Sequence, residues 1–420
     1  MKEKFSGYRV AVATAMYLFV AMGGLGILSI FIPSLCAENG FTLDQISVMS
    51  SCAGLGSTLI GMFVTPTLLK KFQPRGCMII ASVLICGHLL WYSFATQLWE
   101  LYVAATLGGF AIGVGTMAAA GALIGNWFVE KRAQVTGIVM ACSNLGGAAF
   151  QAVCGSLIDS MGYRMTYRVV VAVIFVVAVI AMAIIRNKPE DVGEKPLGFE
   201  TLGQTATAAG AELPGLTAKE AMKTASFWFA FAGICIGTLT YMSCLTYLVT
   251  VLTGEGYGMT TASASIYAAA LGLVAAGVLM LNGKIQGKLG YARYIGFGGI
   301  VTAIGALVFG LTGPALASMP WLIIIAIVCL SVGASRRSAD AQTATAICYG
   351  LKDFATIQAY FTASATAGTI LMAFVTSAMI SAGLNTDSFY VVYAVLALVS
   401  MACLIAAGIT SPMKKAAEAK

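Results

Sequence analysis

The chain has 420 residues, of which 59% are apolar and only 10% are charged, and its mean hydropathy is +0.89. Soluble globular proteins carry about a quarter of charged residues, so this composition excludes a soluble protein and indicates one embedded in a membrane. The 11 cysteines are scattered singly through apolar segments. We therefore expect reduced, buried thiols and neither a metal nor another cofactor.

Twelve apolar segments are long enough to cross a bilayer, whose hydrocarbon core takes about 20 helical residues. In chain order the predicted spans are 10–33, 45–68, 77–95, 100–126, 134–159, 168–186, 225–252, 260–283, 293–313, 320–348, 356–381 and 389–410. The first apolar run is longer than that of a signal peptide, so we interpret it as a spanning helix.

The longest polar interruption is 187–224, which carries three of the nine prolines. We interpret it as a cytoplasmic linker between an N-terminal six-helix bundle, 1–186, and a C-terminal one, 225–410, with a cytoplasmic tail at 411–420. Similar segments at 38–56 and 255–272 indicate a weak internal repeat. The predicted fold is therefore an all-α membrane protein of twelve transmembrane helices in two pseudo-symmetric bundles.

The basic residues give the orientation. Of the 24 lysines and arginines, all but four lie in loops or tails on the side of the N-terminus, and only Arg164 and Arg168 lie in opposite loops. This asymmetry follows the positive-inside rule for both termini in the cytoplasm. The net charge of +7 therefore indicates topology, with no nucleic-acid partner, and we expect a multi-pass protein of the cell inner (plasma) membrane.

Residues 108–150, GGFAIGVGTMAAAGALIGNWFVEKRAQVTGIVMACSNLGGAAF, combine a glycine-rich span, a Trp-Phe pair and a Lys-Arg loop. The loops LLKKFQPRG (68–76) and NGKIQGKLG (282–290) look like degraded forms of a Gly-x-x-x-Asp-Arg-x-Gly motif. Together with the twelve spans, these features resemble the major facilitator superfamily, and MGYR at 161–164 resembles its oxalate/formate antiporter and monocarboxylate transporter branch. The resemblance implies secondary transport by alternating access. It provides no binding residues, because the basic residues of spans eight and eleven in oxalate-type members have no counterpart here.

The segment GASRRSADAQ, 333–342, places charges inside the predicted tenth span. On a helix, Asp340 follows Arg336 by four positions and Arg337 by three, so it can contact either one. Ionised side chains at bilayer depth are costly and usually functional, and a guanidinium binds a carboxylate through two parallel hydrogen bonds. We predict that at least one arginine binds a substrate anion and that Asp340 holds it between turnovers. Two alternatives stay open: a structural Arg-Asp tie, or a span that ends near Ser335 with the arginines at its inner edge.

Other polar residues in the spans are candidates for substrate contact, although each could instead pack or hydrogen-bond a neighbouring helix. They are Asn144 and Gln151 on span five, Tyr241 and Tyr247 on span seven, and Tyr267 on span eight. The only histidine, His88, lies in span three, where it could relay protons or hydrogen-bond a neighbouring helix.

The predicted function is secondary transport of a small organic anion, most simply a carboxylate, by exchange or proton symport. The expected partners are this substrate, the lipid bilayer and, for symport, protons, and we expect a monomer. The sequence contains neither a HExxH nor a Walker A motif, so no enzymatic activity is expected. The alternative is a proton-driven exporter of amphipathic or aromatic compounds, because spans seven and eight are rich in aromatic residues.

Overall fold

The computed structural model describes residues 5–60, 64–128, 132–197, 215–254, 257–312, 319–350 and 352–413. Within these ranges the chain forms fourteen α-helices and one short 3₁₀-helix, Pro189–Val192. The first seven helices are α1 Gly7–Leu25, α2 Leu28–Asn39, α3 Leu43–Leu59, α4 Thr65–Phe94, α5 Leu98–Gly115, α6 Met117–Trp127 and α7 Arg132–Ile184. The other seven are α8 Ala218–Met222, α9 Ala225–Thr253, α10 Thr261–Leu289, α11 Tyr291–Thr312, α12 Pro320–Tyr349, α13 Phe354–Ser381 and α14 Thr386–Ile409.

The chain divides into two compact units, an N-terminal unit of residues 1–211 and a C-terminal unit of residues 212–420. In the N-terminal unit α1 packs against α7, α5 packs against both α3 and α4, and α4 also contacts α7. In the C-terminal unit α9 packs against α13 and α14, α12 packs against both α10 and α11, and α11 also contacts α14. Since α7 covers predicted spans five and six, both units repeat one pairing pattern. The bundle limits at 186 and 225 stay a prediction.

Nine helical stretches among the described residues are long and apolar enough to cross a membrane. The sequence predicted twelve, and the three missing stretches have three causes: predicted spans five and six form one helix, span ten has a short apolar part, and α3 within predicted span two has only 17 residues. Helix α7 has 53 residues, or about 80 Å at 1.5 Å per residue, which is more than twice a hydrocarbon core of about 30 Å. The apolar part of α12 is only Trp321–Gly333. The number of twelve spans and the side on which the termini lie stay predictions.

Two connections that the sequence predicted as loops are helical, with one sharp break each. In α4 the break is at Gln73 (φ 58°, ψ 172°), directly before Pro74, and in α7 it is at Gly162 (φ 78°, ψ 162°). A proline disfavours helical geometry in the residue before it, and glycine adopts positive φ without steric cost. These two residues therefore turn the chain without an extended loop.

Conversely, two predicted spans are each interrupted. Span one breaks between α1 and α2 at Gly26, and span four breaks between α5 and α6 at Thr116. The Gly26 carbonyl accepts a hydrogen bond from Gln151 Nε2 at 3.2 Å, and the Gly115 carbonyl accepts one from Tyr17 Oη at 2.9 Å. Side chains of neighbouring helices thus satisfy backbone groups that the breaks release, as a membrane requires.

The described start of the predicted linker attaches to the N-terminal unit. The Glu194 carboxylate accepts hydrogen bonds from the Ser6 backbone N–H and from Ser6 Oγ, the latter at 2.6 Å. The Leu197 N–H donates to the Trp127 carbonyl at 2.9 Å. The linker therefore contacts both the start of α1 and the end of α6.

The described end of the linker attaches to the C-terminal unit in a similar way. The Leu216 N–H donates to the Tyr349 carbonyl at 2.9 Å, which lies at the end of α12. The Ala218 N–H, at the start of α8, donates to Asp353 Oδ2 at 2.8 Å. The two attachments are equivalent. Trp127 and Tyr349 each lie at the end of the fourth predicted span of their unit, and each carbonyl accepts a backbone hydrogen bond from the linker.

The attachment of α8 predicts a pH dependence. Hydrogen bonds from Thr356 Oγ1 and then from the Ala218 N–H lower the pKa of the Asp353 carboxyl. A carboxyl with a lowered pKa stabilises the folded state above its unfolded pKa of about 3.9, and this stabilisation is lost as the pH falls through the folded pKa. We expect the protection of the amides in 215–224, relative to an unstructured peptide at the same pH, to fall below about pH 4. Asp353→Asn should lower this protection already at neutral pH, and equal protection in both proteins would contradict this role.

Close helix contacts predict a second effect. A Cβ at Gly146 of α7 would overlap the Phe19 carbonyl of α1, whereas a Cβ at the neighbouring Gly147 meets nothing within 4 Å. Replacing a helical glycine by alanine otherwise gains about 1 kcal/mol. We expect Gly146→Ala to lower the melting temperature in detergent, followed by tryptophan fluorescence, and Gly147→Ala to leave it equal or higher. Equal melting temperatures for the two variants would disprove the close contact.

Candidate functional site

A small cavity lies inside the C-terminal unit, between α9, α11, α12 and α14. Hydroxyl side chains and glycines form most of its wall: Thr238, Thr240, Tyr241, Thr302, Ser400, Gly233, Gly237, Gly299 and Gly333. The glycines allow the helices to approach, since a Cβ at Gly237 would lie 2.8 Å from Ser400 Oγ and one at Gly333 2.7 Å from the Thr302 side chain. The wall therefore presents hydroxyl oxygens and backbone in place of bulky apolar groups.

Three of these hydroxyls donate to helix carbonyls. Ser400 Oγ donates to the Gly233 carbonyl at 2.7 Å, which joins α14 to α9, and Thr302 Oγ1 and Thr240 Oγ1 each donate four residues back along their own helix. Thr238 differs, because it is only 2% exposed and its Oγ1 has no hydrogen-bond partner in the described part of the chain. A buried hydroxyl without a partner costs about 1–3 kcal/mol, so Thr238 is the best-placed wall residue for a hydrogen bond to a ligand.

The predicted charged cluster lies on a helix of this cavity. Helix α12 runs without interruption to Tyr349, but its apolar part is only Trp321–Gly333, so the alternative in which the membrane span ends near Ser335 stays open. Gly333 belongs to the cavity wall, and Arg336 and Arg337 follow it by three and four positions, the spacing of residues on one helix face. The side chains of Arg336, Arg337 and Asp340 fall outside the part of the chain that the structure describes.

The two candidate residues on span five, Asn144 and Gln151, lie in different surroundings. Gln151 is only 5% exposed and its side chain donates to the Gly26 carbonyl, so it supports the break between α1 and α2. Asn144, seven positions earlier on α7, is exposed. Of the two, Gln151 has the interhelical role that the sequence left open.

The three predicted tyrosines also differ in their surroundings. Tyr241 lines the cavity of the C-terminal unit. Tyr247 is fully buried, and its ring lies 6.5 Å from that of Phe389 in an edge-to-face arrangement. Tyr267 is half-buried on α10 and is not part of the cavity wall. The structure therefore brings only Tyr241 of the three to this cavity.

The remaining candidate, His88, is on α4 in the N-terminal unit and is 4% exposed. Its ring packs against α5, where a Cβ at Gly108 would lie 3.0 Å from His88 Cδ2. No hydrogen bond joins His88 to another helix among the described residues, so the interhelical bond that the sequence left open is not seen. His88 instead lines a second cavity.

Sequence reasoning missed Thr238, Thr302 and Ser400 as wall residues. One signal was present: Gly233 and Gly237 form a Gly-x-x-x-Gly pattern in α9, and small residues at this spacing mark close helix contacts in membranes. Hydropathy does not show which hydroxyl on a neighbouring helix meets such a pattern.

Long apolar helices in two units that repeat one pairing pattern are typical of multi-pass membrane transporters. The family model of the Major Facilitator Superfamily matches residues 14–338. The chain belongs to this superfamily and is a secondary transporter.

Solved structures show the same fold. A bacterial homologue of the human lysosomal transporter Spinster, inward-facing and unoccupied, is 17% identical with a TM-score of 0.70, over 98% of this chain and 98% of that one. The occupied form of that homologue is 16% identical with a TM-score of 0.66, over 100% of this chain and 96% of that one. A search of curated proteins found no match. These likenesses establish the fold and leave the substrate open.

The two kinds of wall hydroxyl predict opposite effects on stability. Thr238→Val keeps the side-chain shape and removes a buried hydroxyl without a partner, so we expect an equal or higher melting temperature. Ser400→Ala removes the hydrogen bond to the Gly233 carbonyl and should cost about 1 kcal/mol. Thermal unfolding of both variants in one detergent is the measurement, and a Thr238→Val protein less stable than Ser400→Ala would contradict the assignment.

Proposed function

We propose that the protein transports a small organic anion, most simply a carboxylate, and that Arg336 or Arg337 binds its charge. The observation that carries this proposal is the position of both arginines on α12, one helical turn beyond Gly333 in the wall of the hydroxyl-lined cavity. The cavity offers hydroxyl groups for the polar remainder of a ligand. Arginine supplies the permanent positive charge and planar donor fork that suit a carboxylate.

The length of α12 supports a position within the hydrocarbon core. The helix has 30 residues, or about 45 Å at 1.5 Å per residue. Arg336 lies about 24 Å from its start at Pro320 by the same rise. A core of about 30 Å centred on the whole helix contains both arginine positions, whereas one centred on the apolar part, Trp321–Gly333, places them at its edge. Charges within the core usually face a polar cavity and serve transport.

The proposed mechanism follows from charge compensation. Without substrate, an arginine whose charge is not matched opposes closure of the site, and a bound anion removes this penalty. Asp340, three or four positions further along α12, can hold one arginine between turnovers. We favour exchange over proton symport, because no aspartate or glutamate among the described residues is buried.

The chemistry of the cavity wall also bears on the alternative exporter of aromatic compounds. Tyr241 is the one aromatic residue among the described residues of that wall, whereas sites for aromatic ligands are lined mainly by apolar and aromatic side chains. The wall therefore supports a small polar anion. The sequence resemblance to the oxalate/formate and monocarboxylate branch points in the same direction.

The proposal predicts that the arginines are required. Purified protein in liposomes loaded with a short carboxylate should exchange it for labelled external carboxylate. Arg336→Gln or Arg337→Gln should reduce this exchange at least tenfold, because a hydrogen bond to a charged group contributes about 1.5–3 kcal/mol. The matched control is Arg293→Gln, which removes an exposed arginine of the same unit and should leave exchange unchanged.

Three outcomes decide the matter. Full exchange by both Arg336→Gln and Arg337→Gln would refute the proposal that an arginine of α12 binds the substrate anion. Uptake that needs no internal anion and responds to an ionophore would replace exchange by proton symport. Transport of neutral or cationic compounds, together with indifference to every carboxylate, would favour the exporter.

A further inference from the structure

A second cavity, of about 50 Å³, lies inside the N-terminal unit at the break between α1 and α2. The break residues form one wall, and α3, α4, α5 and α7 complete it. Most of the wall is apolar, and His88, Tyr92 and Tyr167 carry its polar side-chain atoms. Since a water-sized group needs about 10–15 Å³, the cavity has room for a molecule of a few non-hydrogen atoms.

Two polar side chains of this wall are buried and have atoms without a hydrogen-bond partner in the part of the chain that the structure describes. His88 is 4% exposed and Tyr167 is 0% exposed, and neither His88 Nδ1 nor Tyr167 Oη has a partner there. The carbonyls of Leu84 and Ile85 lie beside the imidazole on its own helix, but Nδ1 forms no hydrogen bond of good geometry with them. Buried polar groups in native proteins are usually satisfied, so two such groups around one cavity point to a ligand.

Neighbouring rings hold both groups in place. The Tyr167 ring stacks on Phe31 at a centroid distance of 3.8 Å, and the His88 ring contacts Tyr92 edge-to-face at 5.4 Å. Gly108 lies against Cδ2 and Nε2 of the imidazole. The two polar groups are thus positioned before any ligand binds, which lowers the entropic cost of binding.

The surroundings exclude a charged ligand and a charged imidazole. The titratable groups facing His88 are Tyr92 on its own helix, with Cys52 of α3 beside that tyrosine, and Tyr167 on α7. The residues that α5 and the α1–α2 break contribute to the wall are not titratable, and no acidic or basic side chain lines the cavity among the described residues. A buried charge without a counter-ion costs several kcal/mol, so His88 stays neutral. A neutral imidazole and a phenol each offer one donor and at least one acceptor.

We propose that this cavity binds a small uncharged molecule that carries both a hydrogen-bond donor and an acceptor, held between His88 and Tyr167. Short alcohols, primary amides and undissociated acids share this chemistry. The site lies in the N-terminal unit and is separate from the arginines of α12. Because the α1–α2 break forms part of the wall, the bound molecule stabilises the broken form of the first span.

The internal repeat supports a built cavity. In the C-terminal unit the corresponding cavity lies between the first, third, fourth and sixth long helices, α9, α11, α12 and α14. In the N-terminal unit the first span, α4, α5 and the part of α7 after Gly162 line the cavity, together with α3, whose counterpart α10 does not line the other cavity. Each unit therefore leaves a cavity between its first, third, fourth and sixth spans, and only the N-terminal one contains an imidazole.

The single histidine makes this site directly observable. Protein labelled with ¹⁵N-histidine and purified through a tag without histidine gives imidazole NMR signals from His88 alone. We expect acetamide to shift these signals saturably, and acetate at about pH 8, where it is ionised, to leave them unchanged. Tyr167→Phe should weaken acetamide binding at least tenfold, and the matched control Tyr360→Phe, an exposed tyrosine of the other unit, should bind as the parent protein does.

A second variant tests the same proposal if the Tyr167→Phe protein does not fold. Ala105→Val adds volume at a buried wall position and keeps both polar groups, so it should abolish the acetamide response. No response of the parent protein to acetamide would overturn the proposal, as would an equal response to ionised acetate or an unchanged response in both cavity variants. An imidazole that titrates between about pH 6 and pH 8 would show a charged site and overturn it as well.

Discussion

Every backbone N–H and carbonyl in the hydrocarbon core must find a partner within the protein, since lipid offers none. An unbroken helix meets this demand by itself, but two spans are interrupted within the described ranges of this chain, which therefore depends on side chains from other helices. Gln151 and Tyr17 donate to the carbonyls of Gly26 and Gly115, and Thr65 Oγ1 donates to the Gly113 carbonyl at 2.6 Å. These few polar contacts allow the first span to open around a cavity while the unit stays intact.

Close packing at small residues is the second condition for this architecture. In the N-terminal unit α7 approaches the backbone of α1 at Gly146, and in the C-terminal unit α13 approaches the backbone of α9 at Gly368. Both contacts join the first long helix of a unit to its fifth span. Lipid provides little hydrophobic force between helices, so close van der Waals contact at glycines carries much of their association. The repeat is thus clearer in these contacts than in the sequence.

The all-α membrane class and the superfamily could be predicted from the sequence, because hydropathy and charge asymmetry reflect the bilayer directly. The breaks at Gly26 and Thr116 could not, since each depends on partners such as Gln151 that are distant in sequence. The sharp breaks at Gln73 and Gly162 could not be predicted either, for another reason. One residue with positive φ can replace a loop, and hydropathy does not distinguish the two.

The candidate site was predictable in part. The charges of span ten were evident because they contradict their apolar surroundings. The hydroxyls around them were not, because the rotation of each helix about its axis decides whether Thr238 or Ser400 faces a cavity or lipid, and threonine and serine are common in both places. His88 shows the same limit, since its lack of a partner becomes visible only when α4, α5 and α7 are assembled.

The attachment of each linker end to its own unit has a practical consequence. Residues up to Leu197 pair with the end of α6, and residues from Gly215 onward pair with the end of α12. A cut within 198–214 would therefore leave each half with its own attachment complete, whereas a cut at the predicted bundle limits, 186 or 225, would remove it. For expression of the two halves as separate polypeptides, the boundary belongs at the middle of the polar segment, away from the ends of the apolar helices.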